Sequence, residues 1–120
     1  DGSFNMTENS LAVSVLDKLP VIVFLMNNYM LGMVAQWQRT FYNRRYSGVH
    51  QHNCPDYVKI ADAYGAQGIR AESMHELEKA IKAALKSDVA TVIDIPIDPE
   101  EDVYPFVAPG TGLKDMIVGA

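Results

Sequence analysis

The chain has a single cysteine, Cys54, among 120 residues, so it can form no internal disulfide, a usage that fits a reducing compartment. A membrane-spanning helix needs about 20 consecutive apolar residues, and the longest apolar run here, residues 21–26, falls far short of that. Excess positive charge is missing as well. Ten Lys and Arg against 15 Asp and Glu leave a formal net charge of -5, which argues against general nucleic-acid affinity. Arg39, Arg44 and Arg45 form a local basic cluster of the kind found at surfaces and interfaces. A Gly-rich Walker loop, an internal repeat, a low-complexity linker, an initiator Met and a signal peptide are all absent. The chain is therefore expected to be a piece of a longer protein, with any transit peptide outside it. At 48% hydrophobic it carries about one small globular domain's worth of core.

What is present alternates between helix and strand. Residues 6–18 carry Leu11, Val13, Val15 and Leu16 and suit a half-buried helix. Residues 21–26, bounded by Pro20 and Asn27, fit a strand buried on both faces. A helix over 31–42 would align Val34, Trp37 and Phe41 in one stripe, and a polar loop follows over 43–53. Pro55 suits the first turn of a helix that Gly65 ends, and residues 67–71 give a short strand. Ser73 and Glu76 have capping-box spacing ahead of Leu77, Ala80, Ile81, Ala84 and Leu85. Residues 89–95 make another buried strand, the acidic run 98–102 reads as a solvated loop, and Pro and Gly breaks make the remainder an extended tail. This pattern predicts an α/β fold, a parallel sheet with helices on both faces, supplied here as a partial domain.

The two polar tips of this pattern invite chemistry. Asp1-Gly2-Ser3 precedes the first helix, and Asn27-Asn28 follows the first strand. A right-handed crossover would set that strand beside one ending at Asp1 and bring both tips to the carboxyl edge of the sheet, where open α/β sheets bind ligands. Mg²⁺ takes oxygen ligands from one or two side chains plus phosphate and water. Asp1 can offer a carboxylate, Asn28 an amide oxygen and Met30 a backbone carbonyl. Gly2 and Ser3 stand where helix N–H groups can meet a phosphate. Taken alone, the same residues also make two ordinary turns. The segment His50-Gln51-His52-Asn53-Cys54 holds metal-capable groups but lacks the second pair a structural zinc site needs, and Cys54 has no nucleophile motif around it.

The spacing of Asp1-Gly2 and Asn27-Asn28 resembles the thiamin-diphosphate fingerprint Gly-Asp-Gly … Asn-Asn, without its first Gly. Residues 31–38 with Gln36-Trp37-Gln38, then Phe41-Tyr42, Arg45-Tyr46-Ser47, residues 55–61, Ala63-Tyr64-Gly65 and the tail 107–113 are similar to the acetohydroxyacid synthase (acetolactate synthase) catalytic-subunit family. The likeness runs in order through nearly the whole chain. There are two departures. Ser10 stands where many relatives carry Glu, a position some thiamin-diphosphate decarboxylases use in catalysis. Tyr29-Met30 replace acidic residues, a change that a backbone-carbonyl ligand at Met30 survives.

The resemblance implies that residues 1–104 are the C-terminal part of the diphosphate-binding domain and 105–120 an extended C-terminal tail. It implies that Asp1, Asn28 and Met30 hold Mg²⁺, that Gly2, Ser3, Gly32 and Met33 join them around thiamin diphosphate, and that Met33 and Trp37 line the substrate pocket. Trp37 would favour 2-oxobutyrate over pyruvate as acceptor; the residue-level alternative is that it simply packs. The implied reaction condenses pyruvate with a second 2-oxo acid, pyruvate or 2-oxobutyrate, and releases carbon dioxide. Its products are acetolactate or acetohydroxybutyrate, precursors of branched-chain amino acids. The cofactor-activating Glu is expected on another domain, so no catalytic residue lies in this segment and the isolated chain is expected to be inactive. The resemblance further implies FAD bound through other domains, a homodimer or homotetramer, a regulatory small subunit, and a cytoplasmic location, or plastid or mitochondrion in a eukaryote. Two other readings stay open: another thiamin-diphosphate-dependent carboligase or 2-oxo acid decarboxylase, and a non-catalytic α/β binding module.

Overall fold

The computed structural model describes residues 1–51 and 53–119. Three parallel strands, β1 (Ile22–Asn27), β2 (Gln67–Arg70) and β3 (Thr91–Pro96), form a sheet in the order β1-β3-β2. β3 takes the centre because its Thr91, Val92, Ile93 and Asp94 are all buried, the pattern of a strand covered on both faces. β1 departs from the sequence expectation. Leu25 and Asn27 are buried, but the alternate residues Phe24 and Met26 are 49% and 52% exposed, so only one face of this strand is fully covered. The strand reading placed β1 beside a strand ending at Asp1; within the described residues its neighbour is β3, with Leu25 opposite Asp94 and Asn27 opposite Pro96.

Helices lie on both faces. On one, Leu11 of α2 (Leu11–Leu16) and Tyr57 and Ala61 of α4 (Tyr57–Tyr64) pack with Leu25, Ala90 and Val92. On the other, Ala80 and Ala84 of α5 (Met74–Ala84) pack with Ile93, flanked by Ile22, Ile69, Leu77 and Ile81. Fully burying one such aliphatic side chain is worth about 1.5–3 kcal/mol. Leu85, assigned to that apolar face by its spacing, lies just past the helix and is exposed.

The first helical stretch is broken where continuity was expected. α1 (Gly2–Thr7) starts at Gly2 and contains Ser3, a 3₁₀ turn Glu8–Ser10 follows, and α2 resumes at Leu11. Thr7 supplies a cause, because its hydroxyl donates back to the Ser3 carbonyl at 3.1 Å, a bond that bends helices. Downstream, α3 (Gly32–Phe41) matches its expectation. Pro55, expected in the first turn of α4, lies outside it; the N-cap is Asp56, accepting from the Val58 and Lys59 amides. Gly65 ends α4 in the left-handed region, φ 85°. Ser73 caps α5 through the Glu76 amide, yet Glu76 returns its carboxylate to the Glu72 amide, one residue before the cap. Beyond β3, Phe106 pairs antiparallel with Ile117, so the final residues double back. No helix among the described residues is long and apolar enough to cross a membrane.

Candidate functional site

Asp1 caps α1 with one oxygen only. Its Oδ1 accepts from the Gly2 amide at 2.7 Å, while Oδ2 is buried with no hydrogen-bond partner among the described residues. A bare buried carboxylate oxygen is costly unless a cation or donor meets it. Across from it the chain leaves β1 through two successive side-chain turns: Asn27 Oδ1 accepts from the Tyr29 amide at 3.2 Å and Asn28 Oδ1 from the Met30 amide at 3.1 Å. Tyr29 takes a left-handed φ of 56° to fit them.

Met30 then forms an antiparallel bridge with His50, whose bonds run from the Leu31 amide to Val49 O and from the Gln51 amide to Tyr29 O. The pair is thus of the type whose own N–H and C=O point away from the partner. Met30 therefore turns its carbonyl to the side on which its N–H meets Asn28. Two glycines allow the close approach. A Cβ on Gly32 would lie 2.8 Å from Asn28 Nδ2, and one on Gly2 would lie 2.5 Å from a Leu31 methyl.

Asp1, Gly2, Ser3, Asn28, Met30, Gly32 and Met33 all line one open cavity of about 500 Å³ at the carboxyl edge of the sheet. Among the described residues its charged lining consists of Asp1, Glu101 and Asp102, with no Lys or Arg. A diphosphate entering such a cleft needs a cation to offset those carboxylates. Asp1 Oδ2 is the buried atom with a vacant lone pair to hold one, so this donor set fits a hard divalent ion with oxygen ligands.

Trp37 is not part of that lining. It is 40% exposed on the outer side of α3 and meets Phe41 edge-on, centroids 6.1 Å apart. The His50–Cys54 segment gathers no metal cluster among the described residues; His52 lies outside them. Cys54 is a free, half-buried thiol.

Several buried polar residues escaped the sequence reading. Asp94, fully buried in β3, accepts from Asn27 Nδ2 at 3.0 Å and from Arg70 at 2.7 and 3.2 Å. The hydrogen bond to Asp94 pushes the Arg70 pKa further up. A lone acid inside the apolar run Val92-Ile93-Asp94-Ile95 was the available signal, since a buried charge must be paired. Gln36, also buried, donates to Val103 O at 2.9 Å and accepts from Val103 N at 3.1 Å. Arg39 forks onto Asp102 and reaches the Tyr46 hydroxyl at 2.9 Å. Asp102, the main cause, raises the Arg39 pKa against the cost of burial. The basic cluster and the acidic run are therefore partners: Arg39 binds Asp102 in a shielded pair, and Arg44 meets Glu100 at 3.2 Å in solvent.

The family model described as the thiamine pyrophosphate enzyme, C-terminal TPP binding domain, matches residues 1–95, and the chain belongs to that family. Among individual proteins it is similar to acetolactate synthase catalytic subunits. It is 39% identical over 117 residues to the mitochondrial acetolactate synthase catalytic subunit of Saccharomyces cerevisiae, covering 98% of this chain and 17% of that protein. It is 42% identical over 121 residues to the acetolactate synthase of Mycobacterium bovis, covering 97% and 20%. With the isozyme 3 large subunit of Escherichia coli it shares 38% over 119 residues, covering 97% and 21%. The chain thus spans about a fifth of the length of these curated relatives. Among solved structures, benzoylformate decarboxylase from Polynucleobacter necessarius aligns with a TM-score of 0.78 at 28% identity, over 86% of this chain and 19% of that one. The thiamine diphosphate-dependent 4-hydroxybenzoylformate decarboxylase of Rhodococcus jostii aligns with a TM-score of 0.77 at 25% identity, over 84% and 19%.

Proposed function

We propose that this chain is the magnesium- and diphosphate-binding part of an acetohydroxyacid synthase catalytic subunit. The full protein condenses pyruvate with a second pyruvate or with 2-oxobutyrate, releasing carbon dioxide and yielding acetolactate or acetohydroxybutyrate for branched-chain amino-acid synthesis. Asp1, Asn28 and the Met30 carbonyl hold Mg²⁺; Gly2, Ser3 and Gly32 receive the diphosphate; Met33 and Trp37 face substrate. When bound, thiamin diphosphate supplies the nucleophilic carbon and the electron sink for decarboxylation and carbon–carbon bond formation. The chain's own part is to bind, neutralise and orient. Gly2 and Gly32 leave backbone where a side chain would fill the cradle, and the free amide of Ser3 lies in the first turn of α1.

The carrying observation is the buried, unbonded Oδ2 of Asp1, a residue that lines one cavity with Asn28 and Met30, where the described lining holds no Lys or Arg. The identities of about 40% to acetolactate synthase subunits support the choice of reaction. The same reading places FAD and the activating Glu on other domains, assembles catalytic subunits into a homodimer or homotetramer with a regulatory small subunit, and locates the enzyme in the cytoplasm, or in a plastid or mitochondrion.

Calorimetric titration of thiamin diphosphate into the full-length protein, with Mg²⁺ and with EDTA, tests the site. Binding should require the metal and be lost in Asp1→Ala. Metal-independent binding would return the protein to a non-catalytic module. The likeness to two solved decarboxylases favours a second reading within the same cofactor class. Product analysis with pyruvate separates the two, because acetaldehyde as main product would identify a decarboxylase.

A further inference from the structure

We infer that Asp94 is a positioning residue for the metal-binding turn: its buried carboxylate, braced by Arg70, fixes the orientation of the Asn27 amide and through it the placement of Asn28 and Met30. The inference rests on the magnesium site proposed above. The turn over residues 27–31 has two anchors. Its far end is tied by the Leu31 and Gln51 amide bonds of the bridge with 49–51. Its near end is held by the Ile97 amide, which donates to the Asn27 carbonyl at 2.9 Å, and by the side chain of Asn27, which is fully buried and alone reaches forward to the Tyr29 amide.

A carboxylate can only accept, and an amide side chain has one accepting and one donating end. Asp94 Oδ1 therefore obliges Asn27 to present Nδ2 toward it, at 3.0 Å. The Asn27 oxygen is then left facing the Tyr29 amide, which it meets at 3.2 Å. The reverse orientation would set oxygen against carboxylate and N–H against N–H. Arg70 takes the other oxygen, Oδ2, with two bonds, so the carboxylate plane cannot swing. The order of the sheet makes this chain of bonds possible. Asp94 sits in the central strand opposite Arg70 of β2 and Leu25 of β1, and Asn27 follows Leu25 by one side-chain period on the same face.

Asp94→Asn preserves size but supplies one donor end and one acceptor end to two donors. Either Arg70 or Asn27 then faces a donor, and an Asn27 that flips in response loses the Tyr29 bond. Outer partners that orient metal ligands typically change metal affinity about 10–100-fold.

The test is the Mg²⁺ dependence of thiamin diphosphate binding in the full-length protein, measured by calorimetry beside the cofactor-free thermal midpoint. The half-saturating Mg²⁺ concentration should rise about tenfold or more in Asp94→Asn, with cofactor affinity recovering at saturating metal. Arg70→Gln, at a partly exposed site, should move it the same way more weakly and carries the test if Asp94→Asn does not fold. A lowered thermal midpoint with unchanged Mg²⁺ dependence would make the trio a cross-strand brace and overturn the inference alone. Absence of metal-dependent binding in the unsubstituted protein would overturn the magnesium site and this inference together.

Discussion

The two oxygens of the Asp1 carboxylate face different surroundings, and a similar contrast recurs one layer deeper at Tyr57. Asp1 Oδ1 is spent on a helix cap, and Oδ2 is buried with no hydrogen-bond partner among the described residues. Tyr57 packs edge-on against Phe4 of α1, centroids 5.7 Å apart, and so helps seat the helix that begins at Asp1. Its ring is fully buried, and its hydroxyl, with Asn5 and Cys54 nearby, makes no hydrogen bond of good geometry among the described residues. Burial pushes the phenol up from 10.0 to about 12. A group whose folded pKa is raised contributes stability that is complete below pH 10 and is lost as the pH rises through the folded value. Removing an unpaired buried hydroxyl costs little and can stabilise. Tyr57→Phe in the full-length protein should therefore match or exceed the original urea midpoint near pH 7. It should also lose less stability than the original between pH 10 and 11. Parallel curves over that range would show that Tyr57 ionises as freely folded as unfolded.

At the scale of elements, α3 shows which parts of the sequence could be read and which could not. Its existence, approximate bounds and apolar stripe followed from periodicity, though not the side the stripe faces, and the existence of α5 and of the strand at β3 followed likewise. Of the cavity-lining residues, Asp1, Gly2, Ser3, Asn28 and Met30 were legible because turn residues at the ends of strands and helices gather at one edge of a parallel sheet, whereas Gly32 and Met33 came from the family resemblance alone. The reciprocal bonds of Gln36 with Val103, the Arg39–Asp102 fork and the Asn27–Asp94–Arg70 chain were not legible. Each joins residues 24 to 67 positions apart, and no local pattern encodes such a pairing. Periodicity also misjudged β1, since a continuous apolar run says how much surface a strand offers but not what covers it. On α3 the buried side carries Ala35 and Gln36, and the opposite stripe presents Trp37 and Phe41 to the outside. That outward placement fits a residue that meets substrate or another domain rather than the core of this one. Trp37→Leu in the full-length enzyme should leave the fold intact and lower the preference for 2-oxobutyrate over pyruvate. A lost contact of about 1–3 kcal/mol predicts a shift of roughly tenfold or more. Unchanged product ratios in competition assays would assign Trp37 to packing alone.

The chain as a whole leaves much of its apolar surface unused. Its radius of gyration is 16.9 Å with extents of 47 × 26 × 26 Å, whereas a compact domain of this length is expected near 14 Å. Phe24 and Met26 on β1 and Met33, Val34 and Trp37 on α3 are all substantially exposed. Large exposed apolar patches mark surfaces that another part of a protein covers. The proposed metal site is similarly one-sided: Asp1, Asn28 and Met30 line an open cleft, and of the other acids described there Asp102 is paired with Arg39 and Glu101 is exposed to solvent, so neither is a shielded, uncommitted acid of the kind that activates a cofactor ring. The 120 residues in isolation should consequently show no carboligation of pyruvate with thiamin diphosphate, Mg²⁺ and FAD supplied, under conditions in which the full-length protein forms acetolactate. The isolated chain should also bind a dye for exposed apolar surface more strongly, mass for mass, than the full-length protein does. Measurable acetolactate from the isolated chain would show that this cleft contains the whole catalytic apparatus and would remove the need for an activating Glu from another domain.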